Sequence, residues 1–249
     1  GIKKISSFDT ENFQTKIAAE ITDFSPDDIL GRKFASRLDR FAQFACVTAK
    51  EAIKDSGIYL DAVDLERFAV LIGSGIGGIK TLSDQYSVLS EKGPSRISPF
   101  LVPMMLSDMA SGQVSMMLGT KGPNFSTVSA CASAADSIGQ GLHMIRRGEA
   151  DIVLAGGSEA AICPIGIAGF NSARALSTNN DNEFLYSTEE PIVVINKDKT
   201  LKLTLEKDNK KLEYILFSNH SISILPQEKI KIHKAIKDVS NYIIYKLNN

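Results

Sequence analysis

The chain has 249 residues, 43% of them hydrophobic and 23% charged, with a formal net charge of −1. This is the balance of an ordinary soluble globular protein with room for one large domain or two modest ones, and it offers no electrostatic attraction for nucleic acid or an anionic membrane. No apolar run approaches the roughly 18 residues that span a bilayer, no cleavable signal pattern is expected, and three widely spaced cysteines, Cys46, Cys131 and Cys163, point to a reducing compartment rather than to disulfides or paired metal ligands.

In chain order, Leu38 to Ser56 reads as a helix, with Leu38, Phe41, Ala45, Thr48, Ala52 and Ile53 on one face and Gly57 as its stop. "RFAVLIG" (67–73) is a short apolar run of strand formers that ends in glycines. "SPFLVPMMLSDMASGQVSMMLG" combines a proline-broken entry with a helix from about Leu106 to Leu118. "PNFSTVSA" reads as a strand leading to Cys131, "ASAADSIGQGLHMIRRGEA" as a helix stopped at Gly148, and "DIVLAGG" as another buried strand. Continuous apolar strands alternating with helices predict an α/β domain covered on both faces.

A change of composition falls near residue 180. Every glycine lies at or before Gly169 and every arginine at or before Arg174; from Asp181 to Asn249 there is neither, while Lys, Asn and Ile are abundant. The polar, turn-prone "STNNDN" marks a boundary, giving segments 1–180 and 181–249. In the second segment "PIVVINKD", "TLKLTLEKD", "LEYILFSN" and "SISILP" read as four short strands of a β-meander. Ile232, Ile236, Val239, Ile243 and Leu247 then fall on one face of a closing C-terminal helix.

Two stretches invite chemistry. "GSGIGG" (73–78) satisfies G-x-G-x-x-G directly after a strand, which raises a dinucleotide site. No acidic residue ends a second strand about 20 positions later, so close backbone packing at a turn is the better account. "SACASAA" (129–135) places Cys131 among the smallest side chains available. A thiol in the first turn of a helix meets unpaired backbone N–H groups and the positive end of the dipole, which favour thiolate and a developing oxyanion. The same small residues also suit a tightly packed helix, where Cys131 would be a core hydrophobe. Cys46, inside a helix, and Cys163, beside Pro164, lack the junction setting and read as structural.

The blocks "SRLDRFAQFA", "GSGIGG", "SPFLVPMMLSDMASGQVSMMLGTKGPN", "SACASAADSIGQGLHMIRRGEADIVLAGGSEA" and "PIGIAGFNSARALST" together resemble β-ketoacyl-acyl carrier protein synthase II. The resemblance covers roughly residues 5 to 180. It implies the N-terminal half of a thiolase-like ketosynthase domain, a mixed sheet covered by helices, without the family's first strand. It implies that Cys131 takes an acyl chain as a thioester, with acyl and malonyl groups delivered on the phosphopantetheine of acyl carrier protein and no free cofactor. A homodimer is implied for an intact member, and Leu101, Met105 and Leu106 are implied as walls of an acyl pocket, with plain core packing as the alternative. The setting implied is the cytoplasm or, alternatively, a plastid stroma.

The same comparison sets the expected departures. Family members continue into a second half with "HGT" and "GH" histidines and a glycine-rich loop; the tail 181–249, without glycine, is not that half and its origin is open. His143 lies on the helix after Cys131, roughly 18 Å away at about 1.5 Å per residue, and His220 and His233 fall in the tail. The expectation is therefore a ketosynthase-like acyltransferase of fatty acid biosynthesis, incomplete and inactive as an isolated chain. The alternatives are a non-catalytic half-domain that pairs with or regulates another chain, or a truncated or chimeric product without function. A cysteine at the nucleophile position favours descent from an active enzyme.

Overall fold

The computed structural model describes residues 2–180, 192–195, 200–207 and 210–217. The chain divides into two units, Gly1–Asp181 and Asn182–Asn249. The first unit opens with β1 (Lys3–Lys4) and β2 (Ile17–Ala18), paired antiparallel, followed by the short helices α1 (Pro26–Leu30) and α2 (Arg32–Ala35).

Helix α3 (Arg40–Ser56) begins two residues later than its apolar pattern suggests, because Asp39 serves as its cap. One carboxylate oxygen of Asp39 accepts from Phe41 N at 3.2 Å, satisfying a donor that the first turn leaves free. Gly57, at φ 68°, ends the helix in the left-handed conformation. Strand β3 (Phe68–Gly73) is buried along its whole length. After it come α4 (Ile79–Lys92), α5 (Leu101–Met105), α6 (Met109–Leu118), β4 (Asn124–Phe125), α7 (Ser133–Arg146), β5 (Ile152–Gly157) and α8 (Pro164–Ser172). The second oxygen of Asp39 accepts from Thr81 N at 3.1 Å and Thr81 Oγ1 at 2.6 Å, joining the starts of α3 and α4.

β3 is the centre of a parallel three-stranded sheet in the order β4-β3-β5, with Phe68 opposite Ile152 and Gly73 opposite Gly157. Its side chains alternate between two helical layers, as the period of a strand requires. Val70 and Ile72 pack with Phe41, Ala42, Ala45, Cys46 and Ala49 of α3 and with Ala110 and Val114 of α6. Ala69 and Leu71 face the other way, onto Met144 of α7 and Ala150.

Three sequence expectations change. The buried stripe of α3 runs through Ala42, Cys46 and Ala49 rather than Thr48 and Ala52, because small residues let the helix lie close on the sheet. Thr48 is exposed and returns its hydroxyl to Phe44 O at 2.8 Å. The strand expected over "PNFSTVSA" is confined to Asn124–Phe125. Ile72 N, the next donor toward β4, bonds Ser111 Oγ on α6 at 2.7 Å instead, so the ladder stops there. β5 is half-buried rather than fully buried, being the last strand on its side of the sheet.

In the second unit β6 (Ile192–Ile195), β7 (Thr200–Lys207) and β8 (Lys210–Phe217) form an antiparallel meander in that order. The expected fourth strand over "SISILP" and the closing helix through Ile232 and Leu247 lie outside the described residues. No helix among the described residues is long and apolar enough to cross a membrane.

Candidate active site

The carboxyl ends of the three parallel strands converge on one cavity, the usual place for a site in an open α/β sheet. Beyond β4 the chain makes a single 3₁₀ turn, Ala130–Ala132, and enters α7 at Ser133. Cys131 sits in that turn, exposed, rather than inside the first turn of the helix itself. Ala130 just before it adopts φ 52°, a left-handed conformation that an L residue with a Cβ keeps only when its surroundings impose it.

Those surroundings are a set of buried hydroxyls. Ser133, 4% exposed, donates through Oγ to Ala130 O at 2.7 Å and accepts from Ser129 N at 3.0 Å. Thr127 Oγ1 donates to Ser133 O at 2.7 Å, and a further 2.7 Å hydrogen bond joins it to Ser137 Oγ, buried on the next turn of α7. Ala132 N donates to Ser129 O at 3.0 Å, closing the turn. The hydroxyls of Thr127, Ser133 and Ser137 thus hold the turn from beneath, and Cys131 is exposed on it.

The wall opposite is the loop after β3. A Cβ on Gly73 would overlap the backbone oxygen of Ser133, and one on Gly78 that of Met104. Gly73 and Gly78 of "GSGIGG" are therefore required by close backbone approach, the account already preferred to a dinucleotide site. The loop is held by Glu159, two residues past β5. Its Oε2 accepts from Gly75 N and Ile76 N, each at 2.9 Å, and its Oε1 lies 3.4 Å from Ser74 Oγ. No spacing in the sequence ties position 159 to position 75; only the parallel register of β3 and β5 brings the two loops together.

The resulting cavity has a volume of about 380 Å³ and is lined by Ile76, Cys131, Ala134, Glu159, Ala161 and Phe170 together with small residues of the two loops. Leu101 and Met105, on α5, and Leu106, which ends it, are not among the lining residues. Of the three, Met105 meets the glycine loop, its O accepting from Gly78 N at 3.0 Å. His143 lies exposed near the far end of α7 and takes no part in the cavity. Cys46 and Cys163 are both buried. Burial pushes the Cys46 thiol up to about 12, although Lys50 opposes the shift.

An exposed thiol thus stands on a strained strand-to-helix turn, beside a mostly apolar cavity. Residues 1–189 match the family of β-ketoacyl synthases, N-terminal domain, and the chain belongs to that family. It is similar to 3-oxoacyl-[acyl-carrier-protein] synthase 2 of Staphylococcus aureus, with 48% identity over 183 residues, 74% of this chain and 45% of that protein. The protein of the same name from Synechocystis sp. is 45% identical over 73% of this chain and 44% of its own length. Among solved structures, a β-ketoacyl synthase from Burkholderia phymatum superposes with a TM-score of 0.67 at 26% identity, covering 76% of this chain and 46% of that one. The thiolase-like α/β fold of these synthases is thus the fold of the first unit. The chain spans less than half the length of the curated relatives it matches.

Proposed function

We propose that this chain carries the acyl-accepting half of a 3-oxoacyl-[acyl-carrier-protein] synthase, with Cys131 as the nucleophile. The observation that carries the reading is the exposed Cys131 on its fixed turn at the mouth of a cavity of about 380 Å³. The Cys131 thiolate attacks the carbonyl carbon of an acyl thioester on the phosphopantetheine of acyl carrier protein. A new carbon–sulfur bond forms, the old one breaks, and the carrier sulfur leaves as a thiolate that takes up the proton Cys131 gave up to solvent. Ile76, Ala161 and Phe170 supply an apolar lining for the acyl chain. In the second half-reaction a malonyl thioester loses carbon dioxide, and the electron pair of the broken bond becomes a carbon nucleophile. That carbon attacks the acyl group, the carbon–carbon bond forms, and Cys131 is released.

Acyl carrier protein is the partner of this scheme, which needs no free cofactor. A second copy of the domain is proposed to bring Leu101, Met105 and Leu106 to its neighbour's acyl site, since in their own subunit they lie outside it. The segments 1–180 and 181–249 are proposed as separate domains, the first carrying the acyl-transfer site. Three free cysteines suit the reducing cytoplasm or a plastid stroma.

Site-resolved labelling tests the reading. Between pH 7 and 8, iodoacetamide and an acyl thioester are expected to modify Cys131 and to leave Cys46 and Cys163 untouched. The Cys46 thiol, raised to about 12, carries almost no thiolate there, and burial keeps both reagents from Cys163. Equal modification of all three cysteines, or none at Cys131, would sink the assignment.

A further inference from the structure

Among the described residues Glu159 is the one carboxylate on the cavity wall, yet its Oε2 is turned to two backbone amides of the opposite loop and its Oε1 to the Ser74 hydroxyl. Both amides it holds matter to the nucleophile. Gly75 packs against the strained turn, a Cβ there standing 3.2 Å from Ala130 O, and Ile76 itself lines the cavity. Behind the carboxylate, Ser74 is buried and accepts from Gly77 N at 3.1 Å, so the loop is fixed from within as well as from Glu159. Ser158 N, beside Glu159, donates to Gly73 O at 3.0 Å, and Ser158 Oγ donates to Phe41 O at 2.6 Å. The carboxylate is therefore carried on a segment itself anchored to β3 and α3.

We propose that Glu159 is a positioning residue for acyl transfer: by clamping Gly75 and Ile76 it sets the cavity wall and buttresses the Ala130 turn that aims Cys131. The inference rests on Cys131 being the acyl acceptor and adds how its geometry is maintained. The role is one of hydrogen-bond acceptance and not of charge. A glutamine keeps an oxygen for both amides and offers its NH₂ to Ser74 Oγ, whereas alanine removes every contact.

The test uses the 249-residue chain and two reagents: octanoyl-N-acetylcysteamine, whose acyl chain must enter the cavity, and iodoacetamide, which needs only an accessible thiol. Initial rates are read from the mass of the Cys131 peptide. Glu159→Ala is expected to slow octanoyl transfer by about tenfold or more while changing alkylation by no more than about threefold, because small misplacements penalise positioned chemistry most. Glu159→Gln is expected to restore octanoyl transfer to near the wild-type rate. Wild-type octanoyl transfer that persists unchanged in Glu159→Ala overturns the inference alone. So does a Glu159→Gln rate as low as that of alanine, which would make the charge responsible. If both reagents slow equally, or Cys46 and Cys163 become labelled, Glu159 only maintains the fold and the inference fails. A wild-type chain that takes no octanoyl group at Cys131 removes the acyl-acceptor reading, and this inference with it.

Discussion

Ala130 holds the least favourable backbone conformation at the site, and its neighbours show why it is tolerated. Left-handed φ costs an L residue about 1–2 kcal/mol, while two hydroxyl-mediated hydrogen bonds through Ser133 fix the turn on either side. Glycine at this position loses the strain but adds freedom to the unfolded chain, and the two effects nearly cancel. Ala130→Gly is therefore expected to change stability by less than about 1 kcal/mol, whereas Ala130→Val, β-branched, is expected to lose about 2 kcal/mol or more. Urea unfolding of the two variants checks this, and equal losses would mean that the turn is not strained. The small residues around Cys131 were legible in the sequence, because size alone reports close approach. The hydroxyl pedestal was not, since Thr127, Ser133 and Ser137 form ordinary polar spacing until the turn brings them together.

At the scale of elements, legibility followed the depth of the apolar pattern. β3 and α3 were readable because each presents a continuous face to the core. α4 gave no such signal: Thr81 is its only buried residue, and Leu82, Tyr86 and Leu89 stand exposed. Asp39 ties α4 to α3, capping α3 with one oxygen and bonding Thr81 with the other. Losing a cap costs about 1 kcal/mol, and stranding a buried hydroxyl and amide adds about 1–3 kcal/mol. Asp39→Ala should thus lower unfolding free energy by about 2–4 kcal/mol, and Asp39→Asn by clearly less. Similar losses in both variants would show that the shared acceptor is not the joint. The foreshortened β4 was equally hidden, because the acceptor that takes Ile72 N from the ladder is Ser111 Oγ, on another element.

For the molecule as a whole, the parallel order β4-β3-β5 gathers residues 73–76, 130–134 and 157–161 at one end of the sheet. The family resemblance located that end from its motifs, but only the register paired Glu159 with Gly75. In the proposed reaction the two halves make different demands on this geometry. Decarboxylation of a malonyl thioester needs donors aimed at the oxygen that becomes an enolate. His143, the only histidine before Asp181, is exposed at the far end of α7. The 249-residue polypeptide on its own is accordingly expected to take an acyl group at Cys131 but to release no carbon dioxide from malonyl-acyl carrier protein. Radiolabelled malonate would reveal any release, and a positive result would place those donors within this chain. The glycine facing Ser133 has a consequence for how such a site drifts over generations. What Gly73 abuts first is a main-chain oxygen, which every amino acid carries, so no change of side chain at position 133 relieves a bulkier replacement there. Gly157 abuts the Ala134 methyl group first, an overlap that a partner change to glycine relieves, leaving backbone contacts of 3.0 and 3.2 Å. Two neighbours across one register pair are thus held by unequal constraints, one absolute and one negotiable.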